Sequence, residues 1–201
     1  MFSTLPTQFQ NSPQSLNVIL ATGSAFFWVT TGKCTTCAQN TPRFNDAASS
    51  TFQFVKDSAG QQVPYTITYT TATSAKGYIV RDTMAMGGFQ TPNYSWFLVD
   101  DTTYPLQGSN AGIMGLAFDS GNALGLTPFW QTLADGNKLP APEMSFWLTR
   151  RLGGSNTQDE FGGIFTLGGQ NQTLYTGKVE FRPLVTILDQ RTNWLLNVSS
   201  M

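Results

Sequence analysis

The sequence predicts a mostly-β domain of short hairpins with one or two short helices, and three observations carry that expectation. Apolar and polar residues alternate over several short runs, the period-2 pattern of half-buried strands. Polar content comes mainly from Ser, Thr, Asn and Gln, beside 11% charged and 13% aromatic residues, a balance that suits an extracellular β-protein better than a helical cytosolic one. Helical signals are confined to brief stretches. The 201 residues suffice for one domain with a substantial core, because a globule of this size buries roughly 70% of its unfolded surface. No internal repeat, low-complexity tract or linker interrupts the chain, which reads as one domain over residues 1–201.

The elements follow in order. Leu16-Asn17-Val18-Ile19-Leu20 is a short apolar strand, Ala21-Thr22-Gly23-Ser24 a turn, and Ala25-Phe26-Phe27-Trp28-Val29 an aromatic strand. Residues 46–50 form a short helical turn before Thr51-Phe52. Residues 63–69 alternate, with Val63, Tyr65, Ile67 and Tyr69 on one face, and a second run over residues 76–86 ends at Gly87-Gly88. The small residues between the two runs make a β-hairpin. Further strands are predicted at 96–99, 143–148, 163–167 and 179–183. One helix is predicted over residues 129–134, with Thr127 as N-cap, Pro128 in the first turn and Gly136 as the stop.

Composition also excludes functions. A net charge of −1 offers no electrostatic footprint for nucleic acid or an anionic membrane. No apolar run approaches the ~20 residues that span a bilayer. Met1-Phe2-Ser3-Thr4-Leu5-Pro6 lacks the basic region and long apolar core of a signal peptide. The chain has 0 histidines, which removes Ser-His and Cys-His catalysis and histidine-based metal sites. Neither a metal nor a cofactor is expected. Cys34 and Cys37 admit three readings. A redox pair wants a strand-to-helix setting, which the threonine-rich surroundings do not offer. A zinc site wants about four ligands, and no second pair exists. A short structural disulfide is the favoured reading, and it suits an oxidising compartment. Three Asn-x-Ser/Thr acceptors begin at Asn93, Asn171 and Asn197, about the number that chance gives.

Several segments, taken in order, are specific where each alone is not. Thr22-Gly23-Ser24 follows an apolar strand, and Trp28-Val29 follows the turn. Cys34 and Cys37 come next, then Ser49-Ser50-Thr51-Phe52, Ile67-Thr68-Tyr69 and Gly112-Ile113-Met114-Gly115-Leu116-Ala117. Leu167-Gly168-Gly169 and Tyr175-Thr176-Gly177 close the series. Over about residues 5–196 the chain resembles the N-terminal lobe of a pepsin-like aspartic protease. The resemblance implies a barrel-like lobe of hairpins and a short disulfide loop at Cys34 and Cys37. It also implies an Asp-Thr-Gly-Ser turn in which the aspartate shares a proton with its counterpart on a second lobe. One carboxylate then activates water while the other protonates the scissile carbonyl. By the same resemblance, Tyr69 is the tyrosine of the flap that closes over bound peptide, and Trp28 is its hydrogen-bonding partner. Thr70, Thr71 and Ile113 are further ligand contacts, and Gly112–Ala117 packs behind the catalytic turn.

The chain departs from that pattern at three places. Ala21 stands where the aspartate belongs, leaving no intact catalytic residue, with Thr22, Gly23 and Ser24 as the supporting turn. The flap reads Tyr69-Thr70-Thr71-Ala72 without the usual glycine, so a tip that needs positive φ would have to change geometry. Ala111 replaces the acidic residue often found before Gly-Ile-x-Gly. Asp100, Asp101 and Asp119 read as solvated surface carboxylates rather than substitutes. No second Asp-Thr-Gly or Asp-Ser-Gly turn is expected to supply a partner, and Trp194-Leu195-Leu196 resembles the crossover to a second lobe that is absent. A bare lobe face would favour a homodimer or a separate second lobe. The expected protein is thus a secreted or vacuolar protease homologue that is inactive as written and retains peptide or protein binding. The alternatives are a lectin-like glycan- or macromolecule-binding protein reusing the lobe, and half of an endopeptidase completed by another chain.

Overall fold

The structure, a computed structural model, describes residues 4–9, 14–121, 124–149, 162–187 and 189–197. Ten strands, one α-helix and three single-turn 3-10 helices make up these residues. The described residues divide into two compact units, one drawn from 4–20 and 26–114, the other from 21–25 and 115–197.

The first unit carries most of an eight-stranded sheet. Its strands are β1 (Thr4–Phe9), β2 (Gln14–Ala21), β3 (Trp28–Thr30), β4 (Gln53–Phe54), β5 (Pro64–Thr68), β6 (Ser74–Met86), β7 (Phe89–Thr102) and β8 (Asn110–Gly115). The order is β1-β2-β8-β3-β7-β6-β4, with β5 on β6. A two-residue pairing of β1 with β6, Gln8 opposite Ala85 and Phe9 opposite Met84, curls the sheet partway onto itself without making a closed barrel. The antiparallel pair β6 and β7 dominates. Gly87 and Gly88 join them at φ 59° and 85°, and this doubly left-handed turn matches the twist of the flanking strands and suits glycine. Aromatic rings fill the core of this unit: Trp28, Phe44, Trp96 and Phe97 are buried, with Phe44 edge-on to Trp96 at 5.2 Å. Edge-to-face pairs of this kind add to the burial of the rings themselves.

The second unit contains α1 (Phe129–Asp135) and the hairpin of β9 (Met144–Leu148) and β10 (Gly163–Leu167). α1 presents Phe129, Trp130 and Leu133 to the interior. Pro128, not Thr127, holds its N-cap position, because the Pro128 carbonyl accepts from Thr132 N at 2.9 Å. The C-terminal stop is shared: Gly136 keeps φ −80°, and Asn137 adopts the left-handed conformation at φ 52°. Among the described residues, the large apolar side chains left exposed all lie in this unit. They include Phe146, Trp147, Phe181, Trp194, Leu195 and Leu196.

Other expectations shift. The aromatic strand starts only at Trp28, though the Phe27 carbonyl still accepts from Phe97 N at 3.0 Å. Residues 179–183 form no strand; Val179 and Phe181 are exposed, and no strand is recorded beside them among the described residues. The stretch at 96–99 belongs to the much longer β7, and Gly112-Ile113-Met114 lies in β8.

Candidate functional site

The turn at 21–24 continues β2 and is held by backbone bonds from the segment that follows β8. Leu116 N donates to the Ala21 carbonyl at 2.9 Å, and Ala117 N donates to the Ser24 carbonyl at 3.0 Å. Two indoles hold that segment in turn. Trp194 Nε1 donates to the Leu116 carbonyl at 2.8 Å, and Trp130 Nε1 donates to the Ala117 carbonyl at 3.0 Å. Phe118 packs against both rings, at 4.6 Å from Trp194 and 5.4 Å from Trp130. The strand-turn frame around position 21 is therefore complete, with a methyl group where a carboxylate is expected. Thr22 and Gly23 are exposed. Gly23 does not adopt positive φ, and a Cβ built there meets nothing within 4 Å, so the local backbone does not itself demand glycine.

An Asp-Ser-Gly does occur, at Asp119-Ser120-Gly121, which corrects the expectation that the chain holds none. It forms a 3-10 turn rather than a strand-flanked loop. Asp119 N donates to Gln131 Oε1 at 3.1 Å, and the Ser120 hydroxyl donates to the Arg191 carbonyl. These contacts make it a fold-stabilising turn and not a second copy of the 21–24 frame.

In the other unit, β5 and β6 form the hairpin predicted around Tyr69. Trp28 is fully buried on β3, and its Nε1 donates to the Tyr69 hydroxyl at 2.7 Å. Tyr104 completes a trio, with ring centroids 5.4 Å from Tyr69 and 6.0 Å from Trp28. Tyr69 N donates to the Thr73 carbonyl at 2.8 Å, and Ala72 N to the Tyr69 carbonyl at 3.0 Å. Thr70 and Thr71 are exposed at the tip. The tip keeps a positive φ without glycine: Ala72 sits at 59°, a conformation that costs an L-residue roughly 1–2 kcal/mol. Ala72→Gly is expected to raise stability by about 0.5–1 kcal/mol, glycine's extra chain entropy offsetting part of the relief. A higher urea midpoint at unchanged m value checks it. Ile113 is 2% exposed and pairs with Trp28 across β8 and β3, so it is a core residue rather than an exposed ligand contact.

Cys34 and Cys37 form a disulfide with Cα atoms 5.5 Å apart. Beside it, the Thr36 hydroxyl donates to Asp101 Oδ1 at 2.9 Å, and Lys76 pairs with Asp101 Oδ2 at 3.2 Å. The Thr36 hydrogen bond first, then Lys76, holds the Asp101 carboxyl below the usual carboxylate range. Any stability from this group is present above the ordinary carboxylate pKa and lost as pH falls through the lowered value. Of the glycosylation acceptors, Asn93 is exposed on β7. Asn171 Oδ1 accepts from Thr173 N at 3.1 Å and from the Thr173 hydroxyl at 2.7 Å. Asn197 is exposed, and the rest of its motif lies outside the described residues. No group of three or more metal-ligating side chains occurs among the described residues, and no described helix is long and apolar enough to cross a membrane.

Sequence reasoning missed Tyr104, and it missed the roles of Trp130 and Trp194. The signal available for Tyr104 was a single aromatic before Pro105 in a loop, which points nowhere without the fold.

The model of the eukaryotic aspartyl protease family matches residues 8–201. The chain is 35% identical over 178 residues to major aspartyl peptidase 1 of Cryptococcus neoformans var. grubii, covering 84% of this chain and 34% of that protein. It is 30% identical over 190 residues to gastricsin of Callithrix jacchus, covering 92% and 44%. It is also 30% identical over 175 residues to pepsin-2B of Gadus morhua, covering 86% and 50%. The chain thus spans a third to a half of the length of these curated relatives.

Proposed function

Because the chain belongs to the eukaryotic aspartyl protease family, we propose that it is a member that binds peptide or unfolded protein along the Tyr69 hairpin and does not cleave it. The observation that carries this reading is Ala21, a methyl group on a turn whose backbone support from Leu116 and Ala117 persists. A general acid or base is worth about 10²–10⁴-fold in rate, and losing one of two groups that act as a unit costs more than a single average term. The Trp28–Tyr69 bond at 2.7 Å supports retained binding, because it holds the hairpin tyrosine in one orientation. The disulfide supports an oxidising compartment, secreted or vacuolar. The exposed apolar side chains between Phe146 and Leu196 support burial against further protein, a second lobe or a second copy.

The test is incubation of the purified chain with acid-denatured protein at acid pH, with and without pepstatin. No pepstatin-sensitive product is expected, at a sensitivity at least about 10⁴-fold below the rate of a relative with both aspartates. Pepstatin-sensitive cleavage overturns the reading. In parallel, titration with unstructured peptides followed by tryptophan fluorescence is expected to saturate, and Tyr69→Ala to weaken binding about tenfold or more.

A further inference from the structure

The hairpin that carries Tyr69 is tied down at its root by groups outside its own ladder. Ser74 opens β6, and both of its backbone groups are taken by the strand end opposite. Ser74 N donates to the Thr103 hydroxyl at 2.8 Å. The Ser74 carbonyl accepts from the Thr102 hydroxyl at 2.8 Å and from Thr103 N at 3.0 Å. Thr102 Oγ1 also accepts from Tyr104 N at 3.0 Å, and Tyr104 is the ring that packs on Tyr69. These bonds tie the hairpin root, at Ser74, to residues 102–104.

Those residues are fixed from the far side by one hydroxyl. Thr36 Oγ1 accepts from Thr102 N at 2.8 Å and donates to Asp101 Oδ1 at 2.9 Å. The other Asp101 oxygen binds Lys76, two residues beyond Ser74. Thr36 lies inside the four-residue loop closed by Cys34 and Cys37, and Cys34 N is bonded to the Thr31 carbonyl at 3.0 Å. A side chain at the centre of so short a ring has little freedom to drift.

We propose that Thr36 is a positioning residue for the Tyr69 hairpin, transmitting the rigidity of the disulfide loop through Asp101 and Thr102 to Ser74 and Lys76. The disulfide then sets how firmly the hairpin holds a ligand, although no atom of the loop touches that ligand. The inference rests on the peptide-binding reading for its functional consequence, but the coupling itself is measurable without any ligand.

The experiment is site-resolved amide hydrogen exchange on the free chain, comparing wild type, Thr36→Val and Thr36→Ser. Valine keeps the shape and removes both hydrogen bonds; serine keeps the hydroxyl. In Thr36→Val the amides of Tyr69, Ala72, Ser74 and Thr103 are expected to exchange roughly fivefold faster or more, while those of Val29 and Val80 in the core are unchanged. Thr36→Ser is expected to restore the wild-type pattern. Unchanged hairpin amides in Thr36→Val overturn the proposal. So does equal acceleration of hairpin and core, which reports general destabilisation, and so does failure of serine to rescue. Exchange that follows the expected pattern in a chain that binds no peptide sustains the coupling and overturns only the binding reading.

Discussion

Gly112→Ala is expected to prevent the lobe from folding, or to destabilise it by more than about 4 kcal/mol. A Cβ built at Gly112 lies 1.9 Å from the Trp28 carbonyl oxygen and 2.7 Å from Val29 Cα. Both are backbone atoms of the paired strand β3, so no side-chain rotation relieves the contact. Overpacking among side chains costs about 1–3 kcal/mol because neighbours shift; here the neighbour is a ladder in the middle of the sheet. The damage also reaches the site, since displacing Trp28 breaks its bond to Tyr69 at 2.7 Å. Gly23→Ala is the control. Its added Cβ meets nothing within 4 Å, and its effect is expected within about 0.5 kcal/mol. Thermal unfolding followed by circular dichroism separates the two. A folded Gly112→Ala lobe with wild-type stability would show that β3 and β8 do not approach as described.

This glycine illustrates which parts of the molecule were legible before the fold was known. The Gly112-Ile113-Met114-Gly115 segment was recognisable as a motif, yet Asn110-Ala111-Gly112 lacks the β-branched residues that announce a strand, and β8 went unread as one. Its glycine is required by a strand 84 positions earlier, Trp28 against Gly112, which no local pattern reports. The β5–β6 hairpin was legible because its alternation is local and its faces differ: Ile67 is buried while Thr66 and Thr68 are exposed. Strand β7 was recognised only from Trp96 to Val99, because Pro92 and a left-handed Asn93 at φ 52° look like a loop. The pairing absorbs them in an irregular register beside Asp82 and Met84. In the site, the turn and the Trp28–Tyr69 pair could be anticipated from matching segments. The indoles behind the turn could not, since Trp194 reaches Leu116 across 78 residues.

Asp82 is the other position where a large effect is expected. It is fully buried on β6, and sequence alone gave no reason to separate it from the surface carboxylates. Its Oδ1 accepts from the Thr51 hydroxyl, from the Ser49 hydroxyl at 3.1 Å and from Thr83 N at 2.7 Å. The Ser49-Ser50-Thr51-Phe52 segment thus acquires a physical meaning: its first and third hydroxyls solvate a carboxylate inside the sheet, while Phe52 packs against Phe44 at 5.6 Å. Removing the hydroxyls is worse than removing the acid. Ser49→Ala with Thr51→Val leaves a buried carboxylate holding one donor, and hydrogen bonds to a charged group are worth about 1.5–3 kcal/mol each. The double variant is expected to lose about 3–5 kcal/mol, roughly the sum of two such bonds. Asp82→Asn keeps an acceptor and removes the charge, so it is expected to lose less. In the Asp82→Asn background the same two substitutions are then expected to cost less than half as much. The difference is the coupling read by a mutant cycle from urea unfolding. Equal costs in both backgrounds would show that the hydroxyls serve the sheet without serving the carboxylate.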